Sequence, residues 1–293
     1  MAPETRPEQF DEYGPVERRK LVDAAVATGQ AEVIADAILK EVVRLHDKKF
    51  INDELFGEVR GAVEMMLEDH DSARLLARMS SMLRYLMENG SYVADNAPLT
   101  YMQQHKLLLP GDSLVDLGTG SGRIVREWKE QGGKAIGIDL SPSFVAANES
   151  SRFGVIDGNT HNLRTSMAQL LGDQVTINSS LTLDRVADPG KLIQNMLELA
   201  GEKGNTALFA LLPNNPQDDD SGAGEKIIYT PQHLRITDTG SVERDVRNIS
   251  QYIEDMSKRI VEVRQGTYRV GTTTDVSEYN DYYGFFTHGK DRP

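Results

Sequence analysis

Leu114-Val115-Asp116-Leu117-Gly118-Thr119-Gly120-Ser121-Gly122-Arg123 is the stretch that decides the fold. A short apolar run enters three glycines at alternate positions, and an amphipathic segment follows. A strand that turns sharply into a helix needs left-handed backbone angles, and glycine adopts them without a Cβ penalty. The missing Cβ also lets main chain approach a bound molecule. The first turn of the helix presents N–H groups that have no partner within the helix. Nineteen residues after Gly120, Ile136-Gly137-Ile138-Asp139 ends a second apolar run in an acid. In open α/β sheets an acid at that place can hold ribose hydroxyls.

Two ligands compete for such a loop. A dinucleotide site requires a small residue where this chain has Arg123, because helix and strand must pack closely there. A dinucleotide also brings a pyrophosphate, which Asp116 would repel. S-adenosylmethionine brings a sulfonium and an α-ammonium instead, and an acid at the end of the first strand suits it. The arrangement Asp116, Gly118, Gly120, Gly122 and then Asp139 therefore points to S-adenosylmethionine, with Thr119 inside the same loop.

Outward from the loop, short apolar runs alternate with amphipathic stretches. Ser113–Leu117, Ala135–Leu140, Phe153–Ile156, Val175–Ser179 and Thr206–Leu212 read as strands, and Gly122–Gln131 and Pro189–Ala200 as helices. That alternation predicts an α/β fold with a mostly parallel sheet covered on both faces. Glu243–Lys258 reads as a helix, and Ile260–Tyr268 with Tyr279–Thr287 as an antiparallel pair that closes the sheet. Asn214–Gly224 reads as a polar loop whose three consecutive acids are solvated. Residues 1–16 are polar and read as an arm. From Val16 to Tyr92 the spacing is helical, with Val33, Ile34, Ala37, Ile38, Val42 and Val43 as one stripe. Asn52-Asp53 reads as a helix start, as does Asp71-Ser72, and Asn89-Gly90 as a stop. The chain thus divides into an N-terminal helical subdomain, residues 1–97, and a core, residues 98–293.

Composition excludes whole classes of chemistry. The 293 residues include no cysteine, so disulfides, thiolate metal sites and a cysteine nucleophile are out. Lys+Arg is 32 against Asp+Glu 45, a net charge of −13. An acidic surface repels phosphate backbones, which disfavours nucleic acid as a partner. No run reaches the roughly 18 apolar residues of a membrane span, and the polar N-terminus lacks a signal-peptide core. The expectation is a cytoplasmic enzyme or binding protein, with no metal site and no membrane partner.

On these residues the chain resembles the class I S-adenosylmethionine-dependent methyltransferases over about residues 98–290. The resemblance implies a Rossmann-like sheet with an antiparallel last strand, S-adenosylmethionine as cofactor, and the helical part as a lid. Asp116 to Gly122 matches the family's nucleotide loop, and Asp139 its ribose-binding acid. Gly158-Asn159-Thr160-His161-Asn162-Leu163 matches the stretch after the third strand, where the family usually places an Asp beside the adenine. Asn159 stands there, and its amide oxygen can accept from the adenine amino group. Leu140 and Thr160 are candidates to line the adenine slot. The run from Asn178 to Pro189 resembles the loop after the fourth strand in small-molecule members, with Asp184-Arg185 where those often carry a His pair.

Methyl transfer is a displacement at a carbon that the sulfonium already activates, so alignment and exclusion of water matter more than a triad. Ser179 and Ser180, at the end of the fourth strand, are the candidates beside the reacting carbon. Aromatic rings hold a sulfonium by cation–π attraction of about 0.5–2 kcal/mol. Phe153, Tyr92 and Tyr101 are the candidates, and core packing is the default for Phe153. His105, His161 and His233 are each more readily structural than catalytic. Base-directed amino-methyltransferases are disfavoured because Asn178-Ser179-Ser180-Leu181 stands where they carry an Asp/Asn-Pro-Pro-Tyr motif.

Three functions follow in order. The first is methyl transfer to a small molecule in specialised metabolism. The second is cyclisation of S-adenosylmethionine to azetidine-2-carboxylate with release of methylthioadenosine, on a looser resemblance to methyltransferase-like azetidine-2-carboxylate synthases carried by the helical N-terminal part, Phe153 and the run Ser180–Val186. The third is a cofactor-binding protein without turnover. A homodimer through the methionine-rich helices is a further expectation, and a monomeric molar mass in solution would remove it.

Overall fold

The computed structural model describes residues 15–68, 72–87, 92–94, 97–168, 174–180, 186–201, 204–210, 262–272 and 275–287, with residues 170 and 182 between them. Four helices come first: α1 (Pro15–Ala27), α2 (Ala31–Asp47), α3 (Asp53–Leu67) and α4 (Ser72–Met87). Ile34, Ile38, Val42 and Leu45 recur every three to four residues along α2 and are all buried. Leu55, Val59, Val63 and Met66 do the same on α3. Leu75, Met79, Met82, Leu83 and Leu86 supply the stripe of α4. An apolar stripe at helical spacing must find a partner surface, and here the stripes meet each other. Val33, Val43 and Met65 fall outside them and are exposed. Asn52 accepts from Leu55 N at 2.8 Å and caps α3. Asp71, Asn89 and Gly90 lie outside the described residues, as does the arm before residue 15.

The sheet follows. Its strands are β1 (Tyr92–Ala94), β2 (Ser113–Leu117), β3 (Lys134–Asp139), β4 (Ser151–Phe153), β5 (Val175–Ser180), β6 (Asn205–Ala210), β7 (Glu262–Thr272) and β8 (Asp275–Thr287). The helices between them are α5 (Ala97–Gln104), α6 (Arg123–Glu130), α7 (Pro142–Ala147), α8 (Thr160–Met167) and α9 (Pro189–Ala200). Among the described residues the order is β1-β7-β8-β6-β5-β2-β3-β4. Strands β6, β5, β2, β3 and β4 run parallel, and β8 lies antiparallel to β6. The residues expected to form the loop Asn214–Gly224 and the helix Glu243–Lys258 lie outside the described residues.

Alternation along the strands splits the core into two layers. Leu114 and Ala135 join Trp128, Ile124 and Met102 on the α5–α6 face. Val115, Leu117, Ile138 and Ile177 join Leu163, Ile193 and Met196 on the α8–α9 face. The chain leaves β2 in one direction to β3 and β4, then returns to β5 on the other side. The glycine turn after β2 therefore sits at the point where strand order reverses, where ligands bind in open α/β sheets.

The four N-terminal helices pack at the β4 edge. Phe153, at the end of β4, is 9% exposed and lies in the same apolar cluster as Ile34, Met79 and Leu83. Leu140, Val145 and Val155 pack against that cluster from the core side. Phe153 is thus a packing anchor, which corrects its candidacy for the sulfonium: a buried ring spends its face on apolar neighbours. Strand β4 also ends earlier than its apolar run suggested: Gly154 N makes the last ladder bond, to Asp139 O at 3.0 Å, and Gly158 N then closes a turn onto Val155 O at 2.9 Å.

Phe153→Ala is expected to cost about 3–5 kcal/mol of global stability by cavity formation. Denaturant unfolding followed through Trp128, which is buried and the chain's one tryptophan, measures it. A loss below about 1 kcal/mol would contradict the anchor role assigned here.

Candidate functional site

The carboxyl ends of β2, β3, β4 and β5 bring the sequence's motifs together. Gly118, Gly120 and Gly122 have φ of 77°, 52° and 71°, all in the left-handed region. Gly118 N and Thr119 N both donate to Ile138 O, at 2.8 and 3.2 Å, which folds the turn back over β3. A Cβ on Gly118 would lie 2.4 Å from the Thr182 side chain. A Cβ on Gly120 would meet nothing within 4 Å. Gly118 therefore serves the close approach of protein to protein, whereas Gly120 opens onto free space.

Asp139 fastens this turn. Its Oδ2 accepts from Gly120 N at 2.8 Å and its Oδ1 from Ser141 N at 2.8 Å. The Leu140 amide also acts on this carboxylate, so of its four lone-pair directions about one is left for a ligand hydroxyl. Burial pushes the Asp139 carboxyl up to about 6, against the pull of the Ser141 and Gly120 amides, with the Asp116 charge raising it further.

Asp116 is the second buried acid. The parallel register sets it opposite Asn178 of β5. Asn178 Nδ2 donates to Asp116 Oδ1 at 2.7 Å and approaches Ser180 Oγ at 3.1 Å. Burial raises Asp116 to about 6, opposed by the Asn178 hydrogen bond and more weakly by the nearby Thr119 hydroxyl. Asn178, fully buried, is a site residue that the sequence reading passed over. The signal was there: an amide in the middle of an apolar strand needs a polar partner, and the register supplies an acid.

Other candidates fall elsewhere. Thr119 is 9% exposed and turns inward, close enough to Gly137 that a Cβ there would clash with it. Consecutive strand residues face opposite ways, and this separates the two serines. Ser179 is fully buried and donates to Leu117 O at 2.9 Å, stapling β5 to β2, while Ser180 is half-buried at the strand's end. Of the two serines expected beside the reacting carbon, Ser180 shares the face of Asn178 and Ser179 lies on the opposite face. Asn159 uses its Oδ1 to cap α8, accepting from His161 N at 2.8 Å. Thr160 donates to Asn195 Oδ1 at 2.6 Å and is buried. Asn159 thus caps helix α8, and Thr160 ties its first turn to α9. Leu140 is half-buried between the site and the helical cluster.

The tyrosines are also displaced from their expected place. Tyr92 lies in β1, opposite Thr272 of β7, with four strands between it and β2. At ~4.8 Å per spacing that is roughly 24 Å from the glycine turn. Tyr101 stacks on His105, centroids 4.0 Å apart, against the α5–α6 layer. Its ring is held by that stack, away from the role assigned from sequence. His161 is exposed, and His233, Asp184 and Arg185 lie outside the described residues. Among the described residues, no group of three His, Asp or Glu could hold a metal ion, and no helix is long and apolar enough to cross a membrane.

A third buried acid, Asp157, was also missed. It is 4% exposed in the turn after β4. Arg78 Nη2 donates to its carbonyl at 2.9 Å, Arg78 Nε lies 3.4 Å from its Oδ1, and Asp188 N donates to its Oδ2 at 2.9 Å.

Residues 115–207 match the family model described as "Methyltransferase domain". Over 62 residues the chain is 43% identical to the ribosomal protein L11 methyltransferase of Thermus thermophilus, 21% of this chain and 24% of that protein. The match thus spans about a quarter of that relative's length. Among solved structures, an S-adenosylmethionine-dependent methyltransferase from Anabaena variabilis overlays with a TM-score of 0.49 at 16% identity, covering 75% of this chain and 96% of that one.

The two raised acids fix a sign for pH dependence. Between the ordinary Asp value near 3.9 and the folded value of about 6, the native protein binds more protons than the unfolded chain. Stability of the ligand-free protein is therefore expected to fall as pH rises from about 4 to about 6 through these groups. Asp116→Asn, which keeps an oxygen for Asn178, should flatten that slope in denaturant titrations across the same range. An unchanged slope would show that Asp116 does not carry it.

Proposed function

We propose that this chain, whose residues 115–207 match a methyltransferase domain, is a class I S-adenosylmethionine-dependent methyltransferase that transfers the methyl group of S-adenosylmethionine to a small-molecule acceptor. The observation that carries the reading is the glycine turn, with Gly120 open to free space while a buried carboxylate, Asp139, holds its amide.

The residues present fit that cofactor. Gly120 gives main chain access to it, and a side chain there would fill the space. The remaining lone pair of Asp139 suits a ribose hydroxyl. Asp116, held by Asn178, adds negative potential that favours a sulfonium and an α-ammonium over a phosphate. Bound S-adenosylmethionine supplies a methyl carbon already activated for displacement. Ser180, positioned through Asn178, is placed to orient an acceptor at the end of β5. The reading also keeps the division at residue 97, with the helical part as cover over the adenosine side. A small acceptor suits a site enclosed by that cover, and the net charge of −13 disfavours a nucleic acid.

Two measurements test this. Purified protein incubated with S-adenosylmethionine, with and without an acceptor library, is followed by mass spectrometry. Adenosylhomocysteine formed only with an acceptor supports the proposal. Methylthioadenosine with an azetidine amino acid and no acceptor replaces it by cyclisation, and binding without turnover replaces it by the non-catalytic reading. In the second, Gly120→Ala should fold with a backbone penalty of about 1–2 kcal/mol yet bind S-adenosylmethionine at least tenfold more weakly by calorimetry. Binding within twofold of wild type would sink the assignment of that space to the cofactor.

A further inference from the structure

Two polar contacts of helix α4 with the sheet core fall on loops that border the proposed cofactor site. Arg78 reaches the turn after β4, through the carbonyl and the carboxylate of Asp157. Two turns further along α4, Leu86 O accepts from Ser143 Oγ at 3.3 Å, in the first turn of α7. That turn follows directly on Asp139 and Ser141. One helix therefore spans the loop expected to meet the ribose and the loop expected to meet the adenine.

The turn after β4 is held from its other side as well. Asn195 of α9 donates to Ile156 O at 2.8 Å and to Gly158 O at 3.0 Å. Asp188 N donates to Asp157 Oδ2, and the Asp188 side chain caps α9 at Lys191 N, 2.9 Å. With α9 fixed in the main layer, the Arg78 contact decides how the N-terminal helices sit against this turn. Its geometry is specific, since a planar guanidinium can address a carbonyl and a carboxylate of one residue together, which an ammonium does poorly. Arg78 and Asp157 are 12% and 5% exposed in their side chains, so water competes little for either.

We infer that Arg78 is a positioning residue for the cofactor: through Asp157 it braces the wall of the adenosine pocket and ties the docking of the N-terminal helices to cofactor binding. This rests on the S-adenosylmethionine reading of the site. Because coupling is reciprocal, the bound cofactor must stabilise the docked α4 by the same factor that docked α4 strengthens binding.

The test compares Arg78→Ala, Arg78→Lys and Ser143→Ala with Val42→Ala, a core change in the same helical layer that touches neither loop. Affinity for S-adenosylmethionine is measured by calorimetry below the melting range of every variant. Amide exchange of residues 72–87 and 154–159 is measured with and without the cofactor. Arg78→Ala is expected to weaken binding at least tenfold and to abolish the cofactor's protection of 72–87. Arg78→Lys should recover part of both, and Ser143→Ala should weaken binding a few-fold. Val42→Ala should lower the melting temperature while leaving affinity within twofold. Binding by Arg78→Ala within twofold of wild type overturns the inference, as does an equal loss in Val42→Ala, which would mark a general effect of layer stability. Wild type that fails to bind S-adenosylmethionine removes the reading of the site and this inference together.

Discussion

Everything at the carboxyl end of the sheet hangs on the Asp139 carboxylate, which straddles two backbone amides from two different loops. One amide belongs to the glycine turn after β2 and the other to the turn into α7. A neutral side chain of the same shape could not accept from both, because an amide presents a donor on one side. Loss of the charge would therefore release one loop or the other. The carboxylate is buried, and burial of a charge is tolerated only with strong local compensation. Here the compensation comes from amides that are also the structural elements to be positioned. Fold and site are thus linked by one side chain, and the geometry at Gly120 cannot be relaxed without unsettling β3.

The parallel register extends that constraint across the sheet. Asp116 faces Asn178 because β2 and β5 pair with Asp116 opposite Asn178. Asn178 in turn orients Ser180, one strand position beyond the fully buried Ser179. A slip of one residue would turn Asn178 into the apolar layer and Ser179 toward Asp116. The cluster of Leu117, Ile138 and Ile177 on the opposite face opposes such a slip, since the same shift would expose their neighbours. The apolar layer thereby sets which polar groups meet at the site. The polar chain Asp116–Asn178–Ser180 is a consequence of packing two layers away from it.

What the sequence made legible was local. Ser113–Leu117 and Pro189–Ala200 occur as read, and so do the amphipathic helices α2, α3 and α4, because periodicity and caps act within a few residues. Asp116, the glycines and Asp139 were legible for the same reason: strand, turn, helix and strand end lie within one short segment. The misses all involve distant partners. Asp157 answers to Arg78, 79 residues away, and Asn178 to Asp116, 62 residues away. Strand β1 pairs with a strand some way beyond β6 in the chain, which no local pattern of three residues could announce. Ser179 is the instructive exception. Strand alternation alone separates it from Ser180, so its inward direction was readable, and treating the two serines as a pair ignored a period of two.

Three buried acids at the carboxyl end of the sheet, Asp116, Asp139 and Asp157, differ in a way that bears on function. Asp157 has a cation of the protein's own, Arg78, whose charge pulls its carboxyl down against the effect of burial. Among the described residues, Asp116 and Asp139 are answered by neutral donors alone: an asparagine amide, a threonine hydroxyl and backbone amides. Each acid also raises the cost of ionising the other, as the effect of Asp116 on Asp139 shows. Two acids buried this way carry a desolvation cost that no protein cation acting on them offsets. Their retention makes sense if the balancing positive charge belongs to a ligand. A sulfonium with an α-ammonium provides it and a pyrophosphate does not, so the burial of both acids adds weight to the charge argument that Asp116 already carried in the sequence.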